Sequence, residues 1–132
     1  METEELESRT YQSLIGDERL MGELTGGANA VFHVQAPAMD YPYMPLIVYS
    51  AISDVPVLHG DDNEKLHRVI MRIHIITEDG AYAKIYKEVK RVMSNIGFSR
   101  LQTTPLIADG KRMLVTDFRI LIGGREEWRQ SD

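Results

Sequence analysis

Lys65-Leu66-His67-Arg68-Val69-Ile70-Met71-Arg72-Ile73-His74-Ile75-Ile76-Thr77 is the clearest strand in the sequence. Val69, Met71, Ile73 and Ile75 recur with a period of two, so they share one face of an extended strand, while Arg68, Arg72 and His74 point the other way. Ile70 and Ile76 are interleaved with those cations, which makes the second face too apolar for plain solvent. That face is expected to be a second packing surface, with another subunit as the natural partner. The period then changes. Tyr82, Ile85, Tyr86, Val89, Val92, Met93 and Ile96 recur at spacings of three and four, the core stripe of an amphipathic helix. Lys84, Lys87, Glu88, Lys90 and Arg91 cover the rest of that helix, and Gly97 is a natural stop.

Downstream, Phe98 to about Ile107 reads as a strand bent near Pro105, joined by the turn Asp109-Gly110 to a last strand, Lys111 to Ile122. In that strand Leu114, Thr116, Phe118, Ile120 and Ile122 make one face, with Asp117 and Arg119 on the other. Upstream, Leu46 to Ile52 reads as a buried strand and Val31 to Val34 as a short one. Pro37, Pro42 and Pro45 around Tyr41 and Tyr43 argue for extended chain between them. Asp54 to Glu64 carries Pro56, Gly60, Asp61, Asp62 and Asn63 and reads as a long loop. At the start, Glu4 to Ile15 is helical, and Asp17 is a credible N-cap for a second short helix that ends before Gly26-Gly27. The expected fold is α+β: a mostly antiparallel sheet of about four to five strands, with one long helix and an N-terminal helical pair packed on it.

The chain has 132 residues, which fits one domain, 1–132, with an ordered core of about 4–122 and a polar tail over 123–132. Its 43% hydrophobic and 27% charged residues are those of a globular protein. The absence of cysteine excludes disulfides, thiol catalysis, iron–sulfur clusters and thiolate zinc sites. The acidic start lacks the basic region of a secretory signal, and the apolar run Met44 to Ile52, interrupted by Pro45 and Ser50, is too short to cross a bilayer. A formal net charge of -5 argues against a general nucleic-acid binder, whose affinity comes mainly from neutralising phosphates.

No P-loop, dinucleotide fingerprint, H-E-x-x-H or G-x-S-x-G elbow is present. His33, His59, His67 and His74 are scattered, and strict alternation puts His67 and His74 on opposite strand faces, so no metal site is expected. Asp61-Asp62-Asn63-Glu64 lacks the calcium-loop order. Tyr41, Tyr43 and Tyr49 suit strand packing or an oligomer contact, and Trp128 stands alone in a charged tail.

Taken in order, several segments resemble the tail-completion (tail-terminator, head-to-tail joining) proteins of long-tailed bacteriophages and prophages. They are Leu24-Thr25-Gly26-Gly27, Val31-Phe32-His33 leading to Ala36-Pro37, Tyr43-Met44-Pro45-Leu46-Ile47-Val48-Tyr49, Leu66-His67-Arg68-Val69 to Thr77, the helix Tyr82–Ile96, and Val115-Thr116-Asp117-Phe118-Arg119-Ile120. Met44 departs from the family pattern, in which Pro-Tyr more often runs directly into the strand. The resemblance implies a structural virion protein made in the bacterial cytoplasm, with no catalysis, cofactor, metal or membrane. Its copies would form a ring, usually a hexamer, at the head-proximal end of the tail tube. There it would stop tube polymerisation, join tail to head, and touch the major tail tube protein and the head-completion or connector proteins. DNA would pass through without specific binding.

Under that reading Arg68, Arg72 and His74 are expected to make polar contacts between subunits, and Tyr43 and Tyr49 to be packing anchors. The loop bearing Asp61 and Asp62 would order against a partner, and Trp128 would be a peripheral contact. Arg72→Glu is expected to leave the subunit folded and to weaken assembly. Three alternatives stand beside it: a head-completion or connector-stopper ring, a small ligand-binding or enzymatic α+β domain using the histidines and aspartates, and a generic adaptor domain with a different oligomeric state.

Overall fold

The computed structural model describes residues 2–37, 41–59 and 64–123. In chain order the elements are α1 (Thr3–Ile15), α2 (Glu18–Gly22), a 3₁₀ turn (Gly27–Ala30), β1 (Val31–His33), β2 (Leu46–His59), β3 (Glu64–Thr77), α3 (Ala83–Asn95), β4 (Ser99–Ala108) and β5 (Lys111–Gly123). The strands form one sheet in the order β1-β2-β3-β5-β4. The β1–β2 pair is parallel and all other pairs are antiparallel, which makes this the α+β arrangement read from the sequence.

Residues directly opposite each other in a ladder share a face, so the register assigns the two surfaces of the sheet. Ile47, Tyr49 and Ala51 of β2 stand opposite Ile75, Ile73 and Met71 of β3, which stand opposite Leu114, Thr116 and Phe118 of β5. This face carries the helices and the core. Val69, Met71, Ile73 and Ile75 are completely buried, together with Leu6 and Leu14 of α1, Leu20 of α2, and Val89 and Met93 of α3. Each such side chain contributes roughly 1.5–3 kcal/mol by leaving water.

The helices are held in place by polar contacts as well. The Asp17 carboxylate caps α2 by accepting from the Leu20 N–H at 2.9 Å, and it also accepts from Arg91 of α3 at 2.6 Å. α1 lies over β1 and β2: Tyr11 stacks on Tyr49 with centroids 5.9 Å apart, and Glu7 accepts from the Ala51 N–H and meets His33. α3 lies toward β4, where the Tyr86 hydroxyl bonds that of Thr103 at 2.7 Å. Gly97 ends α3 with φ +103, a conformation that disfavours any side chain, and an added Cβ would sit 3.1 Å from Ile120. Asp109 and Gly110 both take positive φ, as a tight two-residue hairpin turn requires.

Two expectations are corrected. The long loop over Asp54–Glu64 is mostly strand: β2 runs to His59 and β3 begins at Glu64. Pro56 is tolerated because β1 pairs only with Ile47 to Tyr49, leaving the rest of β2 as an edge where a missing N–H costs no ladder bond. Register shifts at Ile52 and Val57 absorb the irregularity. In β4 the irregularity falls at Leu101, between Arg100 and Gln102, and Pro105 pairs opposite Leu114 in this second edge strand. Gly123 closes β5. Asp61, Asp62 and the tail with Trp128 lie outside the described residues.

Candidate functional site: the uncovered sheet face

The face of the sheet turned away from the helices carries Ser50 and Val55 of β2, Arg68, Ile70, Arg72 and His74 of β3, Val115, Asp117, Arg119 and Leu121 of β5, and Gln102 of β4. Its β1 end is shielded: Val48, Leu46 and Ile76 are buried, and Phe32, Tyr41 and Met44 pack against the core. Tyr41 meets Phe32 edge-on at 5.4 Å, and its hydroxyl donates to the Asn29 carbonyl at 2.8 Å. The remainder of the face is open, with Leu121 57% and Ile52 44% exposed beside Val57 and Leu106.

A polar knot occupies the centre of this face. Arg72 grips Asp117 with two hydrogen bonds, Nε to Oδ1 at 2.8 Å and an Nη to Oδ2 at 3.0 Å, and Gln102 donates to Oδ2 at 3.0 Å. This two-pronged geometry suits the planar guanidinium. Asp117 is only 3% exposed. The Arg72 guanidinium holds its carboxyl below the usual carboxylate range, despite burial, and Gln102 adds to the effect. Next along β3, burial pushes His74 below the ordinary histidine value; the Arg72 charge works in the same direction and Asp117 opposes it. His74 is therefore a neutral, half-buried group at neutral pH. A shallow groove of about 240 Å3 runs over these residues between Thr104, Leu106 and Val115.

The expected contact residues separate into different environments. Arg68 and Arg72 are partly buried on the open face with His74, as their alternation requires. Arg72 is engaged within its own chain, so replacing it with Glu would set a second carboxylate against buried Asp117 and strike the fold. Tyr49 lies on the helix face, buried between Tyr11 and His33, and is an anchor inside the subunit. Tyr43 is exposed, edge-on to Tyr41 at 5.4 Å. Sequence reasoning missed the pairing of Asp117 and Gln102 with Arg72. The signal is there in part: alternation puts Asp117 on the face opposite Phe118, but its partners follow only from the β3–β5 and β4–β5 registers.

His67 is buried on the helix face, where its Nδ1 meets Asp54 Oδ1 at 2.5 Å. Burial pushes the Asp54 carboxyl up, but hydrogen bonds from the Thr3 hydroxyl and His67 outweigh it and leave it below its usual value. Strict alternation from Ala51 would turn Asp54 to the open side; the bulge at Ile52 is what turns it toward α1. Among the described residues no three His, Asp or Glu side chains gather as an ion site, and no helix is long and apolar enough to cross a membrane.

Neither a protein-family model nor a curated protein sequence matches the chain. Among solved structures, the fold is similar to a chain from the "Virion of native gene transfer agent (GTA) particle". The two are 19% identical, with 87% of this chain and 92% of that chain covered, at a TM-score of 0.57. A further solved chain is 8% identical across 94% of this chain and 97% of its own, at a TM-score of 0.48. At 19% identity the likeness to the gene transfer agent chain is one of fold.

Proposed function

We infer that this protein is a structural subunit of a phage-like virion and works by assembly rather than catalysis. The observation that carries the reading is the fold likeness to a gene transfer agent virion chain, which extends over nearly the full length of both chains. In its specific form the reading is a ring, of six copies by resemblance to tail-completion proteins, at the head-proximal end of a tail tube. The ring ends tube polymerisation and offers the surface on which a head is joined.

The open sheet face supports this as a surface for another protein. It mixes exposed Ile52, Val57 and Leu121 with Arg68 and Arg119, the combination of apolar area and arginine that interfaces favour. Its centre is rigid in advance, because the Arg72–Asp117–Gln102 knot is already made within the subunit. Little side-chain entropy then remains to be lost when a partner docks. The net charge of -5 suits a passage through which DNA slides without sticking.

Adding the purified protein to its own particle's tail-tube protein during polymerisation tests the role. Tubes that stop growing and carry a ring at one end are the expected result. Tubes of unaltered length without bound protein would overturn it.

A further inference from the structure

The two lateral edges of the subunit are opposite in charge, and each exposes apolar side chains. At one edge α1 lies over β1 and β2. Together with its N-cap, α1 carries Glu2, Glu4, Glu5 and Glu7 against the single base Arg9, and Glu2, Glu4 and Glu5 are exposed. Val34, 63% exposed just past β1, and exposed Tyr43 belong to the same side. At the other edge α3 lies toward β4. Its outer surface carries Lys84, Lys87 and Lys90, all exposed, while Arg91 is already engaged by Asp17 and Glu88. β4 adds Arg100 and two exposed apolar residues, Leu101 and Ile107, the latter 70% exposed.

Among the described residues β1 pairs only with β2, and β4 only with β5, so both strands are open edges. An apolar open edge is a liability in a free subunit unless something blunts or covers it. Pro105 withholds a backbone donor from β4, so this edge is poorly suited to extending the sheet by a full hydrogen-bonded ladder. Side chains are left to make the contact.

We propose that the basic β4/α3 edge of one subunit packs against the acidic β1/α1 edge of a second copy. Ile107 and Leu101 then meet the side bearing Val34 and Tyr43, and Lys87 and Lys90 face Glu4 and Glu5. The contact is heterologous, joining two different patches, and repetition of one such contact closes a ring when the rotation between copies permits. Two copies of the same edge repel each other, which disfavours a two-fold dimer through either edge. This inference rests on the ring reading above and specifies which surfaces close it, leaving the open sheet face for another protein.

The test is a charge exchange between two variants of the full chain. In one, Glu4→Lys and Glu5→Lys make both edges basic; in the other, Lys84→Glu, Lys87→Glu and Lys90→Glu make both acidic. Each is read by light scattering coupled to size exclusion, with circular dichroism confirming that it folds. Each variant alone is expected to need about tenfold more protein to assemble than the wild type. An equimolar mixture is expected to recover assembly, because acidic and basic edges then alternate around an even-numbered ring. If the Glu4/Glu5 pair loosens α1, Glu4→Gln with Glu5→Gln keeps the helix and still weakens assembly. Variants that assemble alone as well as the wild type, or a mixture that gains nothing, overturn the edge assignment while the ring reading stands. A wild type that never associates overturns both.

Discussion

Asp117 is the residue on which the uncovered face turns, because a carboxylate so thoroughly buried is tolerated only through its partners. Removing Arg72 leaves that charge in the sheet without its counter-ion. Arg72→Glu is expected to cost roughly 2–4 kcal/mol, read as a lowered urea midpoint; the range allows for the partial exposure of the arginine. An unchanged midpoint would mean that water, and not Arg72, satisfies the carboxylate. Two groups here also make stability depend on pH. His74 has a lowered folded value, so the unfolded chain binds its proton first and stability begins to fall as pH drops through the ordinary histidine value of 6.5. Asp117 is likewise lowered, so its contribution is complete above the ordinary carboxylate value of 3.8 and is lost as pH falls through its lower folded value. Both signs agree: acid destabilises. His74→Gln is expected to flatten the stability profile just below pH 6.5, and Arg72→Met with Asp117→Leu to flatten the acidic limb.

At the scale of elements, the short helix α2 depends on one side chain. Asp17→Ala removes both the cap on Leu20 and the tie to Arg91, and is expected to cost roughly 1–2 kcal/mol, with Asp17→Asn costing less because it keeps the cap. Equal losses from both would assign the effect to the ion pair alone. Strand β3 and helix α3 were legible because their periods are clean: Val69, Met71, Ile73 and Ile75 at two, and Ile85, Val89, Val92 and Ile96 at three and four. The second half of β2 was not, because Pro56, Gly60 and the acidic run carry turn chemistry, whereas an edge position with two bulges lets the strand continue past Pro56. The same bulges explain the site. Alternation placed Arg68, Arg72 and His74 on the right surface. Asp54 beside His67 and Gln102 beside Asp117 follow only from one-residue register shifts, which no local pattern announces.

The described residues form a two-layer unit with three distinct surfaces: an acidic α1 edge, a basic α3 edge, and an open sheet face mixing arginine with exposed aliphatic residues. In the proposed ring the two edges join its own subunits and the sheet face is left for a different protein. Raising the salt concentration is expected to weaken the proposed ring, because the edge charges are exposed and screened. The most direct test of self-assembly is light scattering coupled to size exclusion across a wide concentration range. The account predicts a species near six copies of the 15.0 kDa chain that grows in as concentration rises. A stable dimer that persists without larger species would contradict it.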